Sequence, residues 1–170
     1  FAGSAMIGFG QGFQPVCGFN FGAHKYDRVT RGFHFCVRSS SLILLALAVL
    51  GFAFAPQIIA VFRGDDAEVI RIGALTLRLQ CISFPITGFV VMSNMLLQNI
   101  AMTLRASIVA AARQGLFFVP FALILPHFFG LTGVQLCQAA SDLCAFILSI
   151  CVTVPVVQRL SEGKNPHDAI

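Results

Sequence analysis

The sequence predicts an all-α polytopic membrane protein, on three observations. Hydrophobic residues make up 57% of the 170-residue chain and charged ones 11%, whereas a soluble domain carries about 25% charged residues. The apolar residues gather into five blocks of the length that crosses a bilayer, about 20 residues. These blocks are continuously apolar. A membrane barrel would instead alternate over strands of about ten residues, and helices satisfy their own backbone hydrogen bonds in lipid.

The first helix is expected over residues 1–23, which hold no charge. Gly8 and Gly12 stand four apart in it, as do Gly18 and Gly22, a spacing that lets helices approach closely. Pro15 removes a backbone donor and invites a kink. The second helix is expected over 33–62 and the third over 72–98, with Pro85 inside it. The fourth covers 104–126, with Pro120 and Pro126, and the fifth 131–157. Polar connections fall at 24–32, 63–71, 99–103 and 127–130, and 158–170 reads as a polar cytoplasmic tail. Asp66 is placed to cap the third helix, with Glu68 favourable in its first turn. Arg63-Gly64-Asp65 spells an adhesion tripeptide that chance and capping explain.

Orientation follows from the basic residues. With the first connection cytoplasmic, Lys25, Arg28, Arg31, Arg38, Arg105, Arg113, Arg159 and Lys164 share that side, against Arg63, Arg71 and Arg78 on the other. This satisfies the positive-inside rule and puts the C-terminus in the cytoplasm. The compact loops fit a multi-pass protein of a bacterial inner, plasma membrane. No basic run of nucleic-acid type occurs. Cys17, Cys36, Cys81, Cys137, Cys144 and Cys151 lie inside apolar stretches with no CxxC, so they read as packing residues.

Asp142 is the one acidic residue well inside an apolar block. A charge at membrane depth is expensive and is usually functional or paired. Arg113, in the preceding block, is the natural partner, and Ser141-Asp142 can act as a hydrogen-bond anchor. Direct ion coupling or substrate contact by Asp142 is the functional alternative to pairing. Gln11, Gln14, Asn20, Gln80, Asn94, Gln98, Gln114 and Gln138 put amides at the same depth, to line a wet cavity or to join helices. Arg78 can snorkel outward. Phe117, Phe118 and Phe121 flank Pro120 and either pack or hold an organic cation. His24, His34, His127 and His167 form no metal pair. The chain has no GxSxG, GxxxxGK[ST] or HExxH. It therefore reads as no enzyme, with no bound cofactor or metal.

The stretch from Gly10 to Val29, GQGFQPVCGFNFGAHKYDRV, resembles the block that ends the eighth helix of multidrug-and-toxin-extrusion (MATE) transporters. Ser83-Phe84-Pro85, Gln98-Asn99, Phe128-Phe129-Gly130-Leu131-Thr132-Gly133-Val134 and Ser141-Asp142 follow in the family's order. The resemblance runs to about Arg159. It implies five helices of a six-helix lobe from a twelve-helix transporter, with the seventh helix and the first lobe elsewhere in the protein. It further implies export of cationic or amphipathic drugs and toxins by antiport with Na⁺ or H⁺. The family's best-known ion sites use carboxylates of the first lobe or of the seventh, eighth or tenth helix. The first and third blocks here carry none, which implies a coupling carboxylate outside this chain or at Asp142. A flippase of lipid-linked saccharides, a membrane scaffold and an intramembrane enzyme are the rival functions.

Overall fold

A computed structural model describes residues 2–62 and 67–166. The capping and tripeptide residues Arg63 to Asp66 lie outside the described residues, as does the end of the tail from His167. The described residues form α1 (Ala2–Gly22), α2 (Tyr26–Ala53), α3 (Ala55–Phe62), α4 (Ala67–Asn99), α5 (Thr103–Ala111), a π-helical segment (Ala112–Leu116) and α6 (Phe118–Ser161). Three helical stretches are long and apolar enough to cross a membrane: Tyr26–Ala53, Ile70–Asn99 and Gly133–Ser161. Phe118–Phe128 is apolar but shorter. The chain is a multi-pass membrane protein. α1 is long enough, but its glycines and amides dilute its hydropathy.

Residues 26–32, expected as a polar connection, are helical. Their charges are set at helical spacing, with Arg31 and Asp27 paired at 2.8 Å one turn apart. Asp27 also sits in the first turn, where the helix dipole favours an anion. Thr30 and His34 bond the carbonyls one turn back, at 3.1 and 2.9 Å. The expected second helix is broken at Phe54, and Pro56 follows in the first turn of α3. Proline has no N–H for the carbonyl four residues earlier, which is that of Phe52. Arg78 supplies the donor, its Nε lying 3.4 Å from the Phe52 oxygen with its guanidinium 5.3 Å from the Phe52 ring centre. Arg78 therefore braces the α2–α3 break rather than snorkelling.

α4 is the central helix and packs on α1, α2, α3, α5 and α6. Met92, Leu96, Leu97 and Ile100 at its C-terminal end are fully buried against Phe13 and Cys17 of α1, Val29 and Phe33 of α2, and Val156 and Leu160 of α6. Phe33, Phe89 and Phe146 continue this core edge to face, with centroids 6.2 and 5.5 Å apart. Of the four glycines expected at helix contacts, Gly18 lies by the Asn99 side chain, while Gly8, Gly12 and Gly22 meet nothing among the described residues; Gly10 lies against Met95.

Helices α1 and α4 close in the same way. Lys25 N–H reaches Asn20 O while His24 N–H reaches Phe21 O, and Met102 N–H reaches Leu97 O while Ala101 N–H reaches Gln98 O. This Schellman closure puts one residue in the left-handed region, His24 at φ 56° and Ala101 at φ 60°. α6 bends back on itself at Gly130 (φ 56°, ψ −131°), a conformation essentially reserved for glycine. The two arms then meet so closely that a Cβ on Gly133 would stand 2.2 Å from the Leu125 oxygen.

Gly130→Ala is expected to destabilise the protein by about 1–3 kcal/mol, and Gly133→Ala to lower its melting temperature as well. Ala101→Gly acts in the opposite direction, by about 1 kcal/mol. Thermal unfolding of the purified full-length protein in detergent measures all three.

Candidate functional site

The fold-back at Gly130 lays the second arm of α6 alongside α5 and the π segment, and so brings Asp142 to Arg113. Asp142 is 2% exposed and meets three donors. Arg113 Nε lies 2.9 Å from Oδ1. Gln138 Nε2, one turn earlier on α6, reaches the same oxygen at 3.2 Å. The Ser83 hydroxyl of α4 lies 3.2 Å from Oδ2 and shares its one proton between that oxygen and the Gln80 carbonyl at 2.9 Å. Desolvating a carboxylate takes several kcal/mol, and such a site is tolerable only with this kind of saturation.

The π segment belongs to the same arrangement. Phe117 N–H, which in an α-helix would bond the Arg113 carbonyl, bonds Ala112 O at 3.1 Å instead. The Ser141 hydroxyl donates to the Arg113 carbonyl at 2.7 Å. Neighbouring α6 residues thus hold Arg113 at both ends, Ser141 at its backbone and Asp142 at its side chain.

Beside the pair lies a cleft of about 220 Å³ between α4 and α5. Val90, Val91, Met95, Val109 and Ala110 make its apolar walls, and Asn94, Gln98 and Arg113 its polar ones. Asn94 Nδ2 is tied to Ala106 O at 2.9 Å, and Gln98 Nε2 donates to Asn94 Oδ1. Arg113 has its Nε edge on Asp142, and its side chain is 28% exposed. Among the described residues, its Nη groups have no hydrogen-bond partner.

The structure therefore gathers Asn94, Gln98 and Arg113 at the cleft, with Gln138 and Asp142 behind them. It does not bring in the amides of α1. Gln11 is exposed, Gln14 is half-buried, and half-buried Asn20 bonds its own helix at Val16 O, 2.8 Å away. None of the three lines the cleft. Gln80 is half-buried on α4, where its backbone carbonyl accepts from Ser83. The Gln114 side chain lies outside the described residues. Phe117, Phe118 and Phe121 are half-buried and do not line the cleft. Ser83 and Ser141 complete the site; Ser141 is the expected hydrogen-bond anchor beside Asp142, while the one sequence signal of Ser83 is its place in the quoted Ser-Phe-Pro motif. A second cleft of about 590 Å³, lined by Glu68, Arg71, Arg78 and Gln135 among others, opens elsewhere, between α3, α4 and α6.

A MatE family profile matches residues 1–124. No curated protein matches. One similar solved structure is described as the inward-facing conformation of a multidrug resistance MATE family transporter of the MOP superfamily. It aligns with TM-score 0.84 and 20% identity over 92% of this chain and 37% of that one. A second, described as the outward-facing conformation of such a transporter, aligns with TM-score 0.84 and 21% identity over 92% of this chain and 36% of that one. The chain thus spans little more than a third of the length of either.

Removing one partner of a buried pair leaves the other charge uncompensated. Asp142→Ala is expected to destabilise toward the low end of about 3–5 kcal/mol, because Arg113 keeps some contact with solvent. Asp142→Asn retains hydrogen-bonding groups for its neighbours and loses less. The double variant Arg113→Met/Asp142→Leu recovers much of the deficit. Thermal unfolding of the four proteins gives the ordering.

Proposed function

This chain belongs to the MatE family, a family of transporters and not enzymes, and we propose that it supplies five membrane-crossing helices of one six-helix lobe in a twelve-helix exporter. In that arrangement α1, α2 with α3, α4, α5 with the first arm of α6, and the second arm of α6 each cross the bilayer. The remaining helices and the other lobe come from the rest of the protein. The whole transporter exports cationic or amphipathic small molecules by antiport with Na⁺ or H⁺, through alternating access. It sits in a bacterial plasma membrane with the basic connections and the C-terminus in the cytoplasm.

The observation that carries this proposal is the open cleft at Asn94, Gln98 and Arg113, backed by a carboxylate within the Gly133–Ser161 span. A polar cleft with an ion pair at membrane depth has a structural cost that a scaffold has no need to bear. The same TM-score against an inward-facing and an outward-facing transporter supports a lobe that rocks as one body. Within it, the charge shown to the cleft depends on Asp142. Arg113 is its charged partner, while α4 offers the Ser83 hydroxyl and α6 the Gln138 amide. The two side chains carry opposite charges 2.9 Å apart, so replacing either one changes the charge at the cleft wall. A flippase of lipid-linked saccharides calls for a more basic cavity than the single arginine of this cleft's lining supplies.

Efflux of a cationic dye from cells expressing the full-length gene tests the proposal, with wild type and Asp142→Asn matched for surface expression. Wild type is expected to export under an imposed ion gradient, and the variant to lose roughly tenfold, equivalent to about 1.4 kcal/mol. Equal export by both would move coupling out of this lobe. Failure of wild type to export any dye of a broad panel would contradict the exporter assignment.

A further inference from the structure

We infer that the Arg113 edge of the cleft receives a planar oxygen acceptor, a carboxylate or carbonyl, on an apolar ring-bearing molecule. This inference rests on the exporter proposal and names the substrate group that this lobe recognises. The guanidinium is held through Nε alone, at 2.9 Å from Asp142, which fixes its plane and leaves both Nη groups without a partner among the described residues. Paired N–H groups of a guanidinium match the two oxygens of a carboxylate, a geometry that an ammonium cannot reproduce. Unpaired donors at membrane depth favour a ligand that supplies the missing acceptor.

The rest of the cleft fixes the body of the ligand. Val90, Val91, Val109 and Met95 present apolar walls around about 220 Å³. A dry cavity of about 150 Å³ accepts benzene, so two fused rings fit here. The amides add little charge selectivity, because Asn94 is committed to Ala106 O and to Gln98. Asp142 is a positioning residue for this contact. It aims the guanidinium, and its opposite charge tempers the attraction for an anion.

The test uses the purified full-length protein and two probes of one shape, 2-naphthoate and 2-naphthylmethylammonium, by calorimetric titration. Naphthoate is expected to bind wild type. Arg113→Lys, which keeps the charge but loses the planar fork, weakens it about tenfold. Asp142→Asn tightens naphthoate several-fold and weakens the ammonium probe, an inversion that a merely structural role for the pair would not produce. Thermal unfolding confirms that each variant is folded. Naphthoate affinity indifferent to both substitutions overturns the inference. If wild type binds no naphthoate while it still exports cationic dye, the inference fails and the exporter proposal stands. Loss of both binding and export by wild type overturns the two together.

Discussion

A carboxylate shielded from solvent inside a bilayer span must be surrounded by donors, and three helical elements of this chain are arranged to surround Asp142. Arg113 comes from the π segment, Ser83 from the central helix α4, and Gln138 from α6, one turn before Asp142 itself. Each donor limits the geometry of its element. The π ring turns the Arg113 carbonyl to Ser141. The Gly130 bend and the absence of a side chain at Gly133 let the two arms of α6 come close enough for the pair to form. An ion pair in low dielectric is weak evidence for net stability. Its clearer consequence is specification, because few packings of these helices satisfy all the donors and acceptors at once.

The same pair connects fold to function. It places one charged group at the wall of a cleft that is otherwise made of valines, a methionine and two amides. The charge at that wall is set by the Arg113–Asp142 pair, because Asp142 lies behind the arginine and outside the lining.

The membrane class and the apolar blocks were legible because hydropathy over about 20 residues is a strong signal. The Arg113–Asp142 pairing was legible for a related reason, since a lone carboxylate in an apolar block has few partners to choose from. The boundaries were less so. Asp27 and Arg31 look like loop charges until their four-residue spacing is given weight. Phe54 carries no mark of a break, and the signal lay two residues on, at Pro56. The π segment has no local pattern, since it arises from the tertiary pull of Ser141 and Asp142 on one residue. Ser83 was hidden for the same reason, a serine at a helix contact being ordinarily a packing residue. The amides could not be sorted in sequence. Gln11 and Gln14 share the composition of Asn94 and Gln98, and only the rotation of α1 relative to α4 separates a residue of this cleft from one outside it.

The central claim is that the cleft between α4 and α5 lies on the path of the transported molecule. Its most direct test is substrate protection of a cysteine placed there. Gln98→Cys would be made in a full-length protein cleared of its native cysteines, the six of this chain included, and treated with a membrane-impermeant thiol reagent. A position on the path labels from the aqueous side, and a saturating exported dye slows that labelling in proportion to its occupancy. A cysteine at 98 that never labels, or that labels at the same rate with and without the dye, would contradict the account.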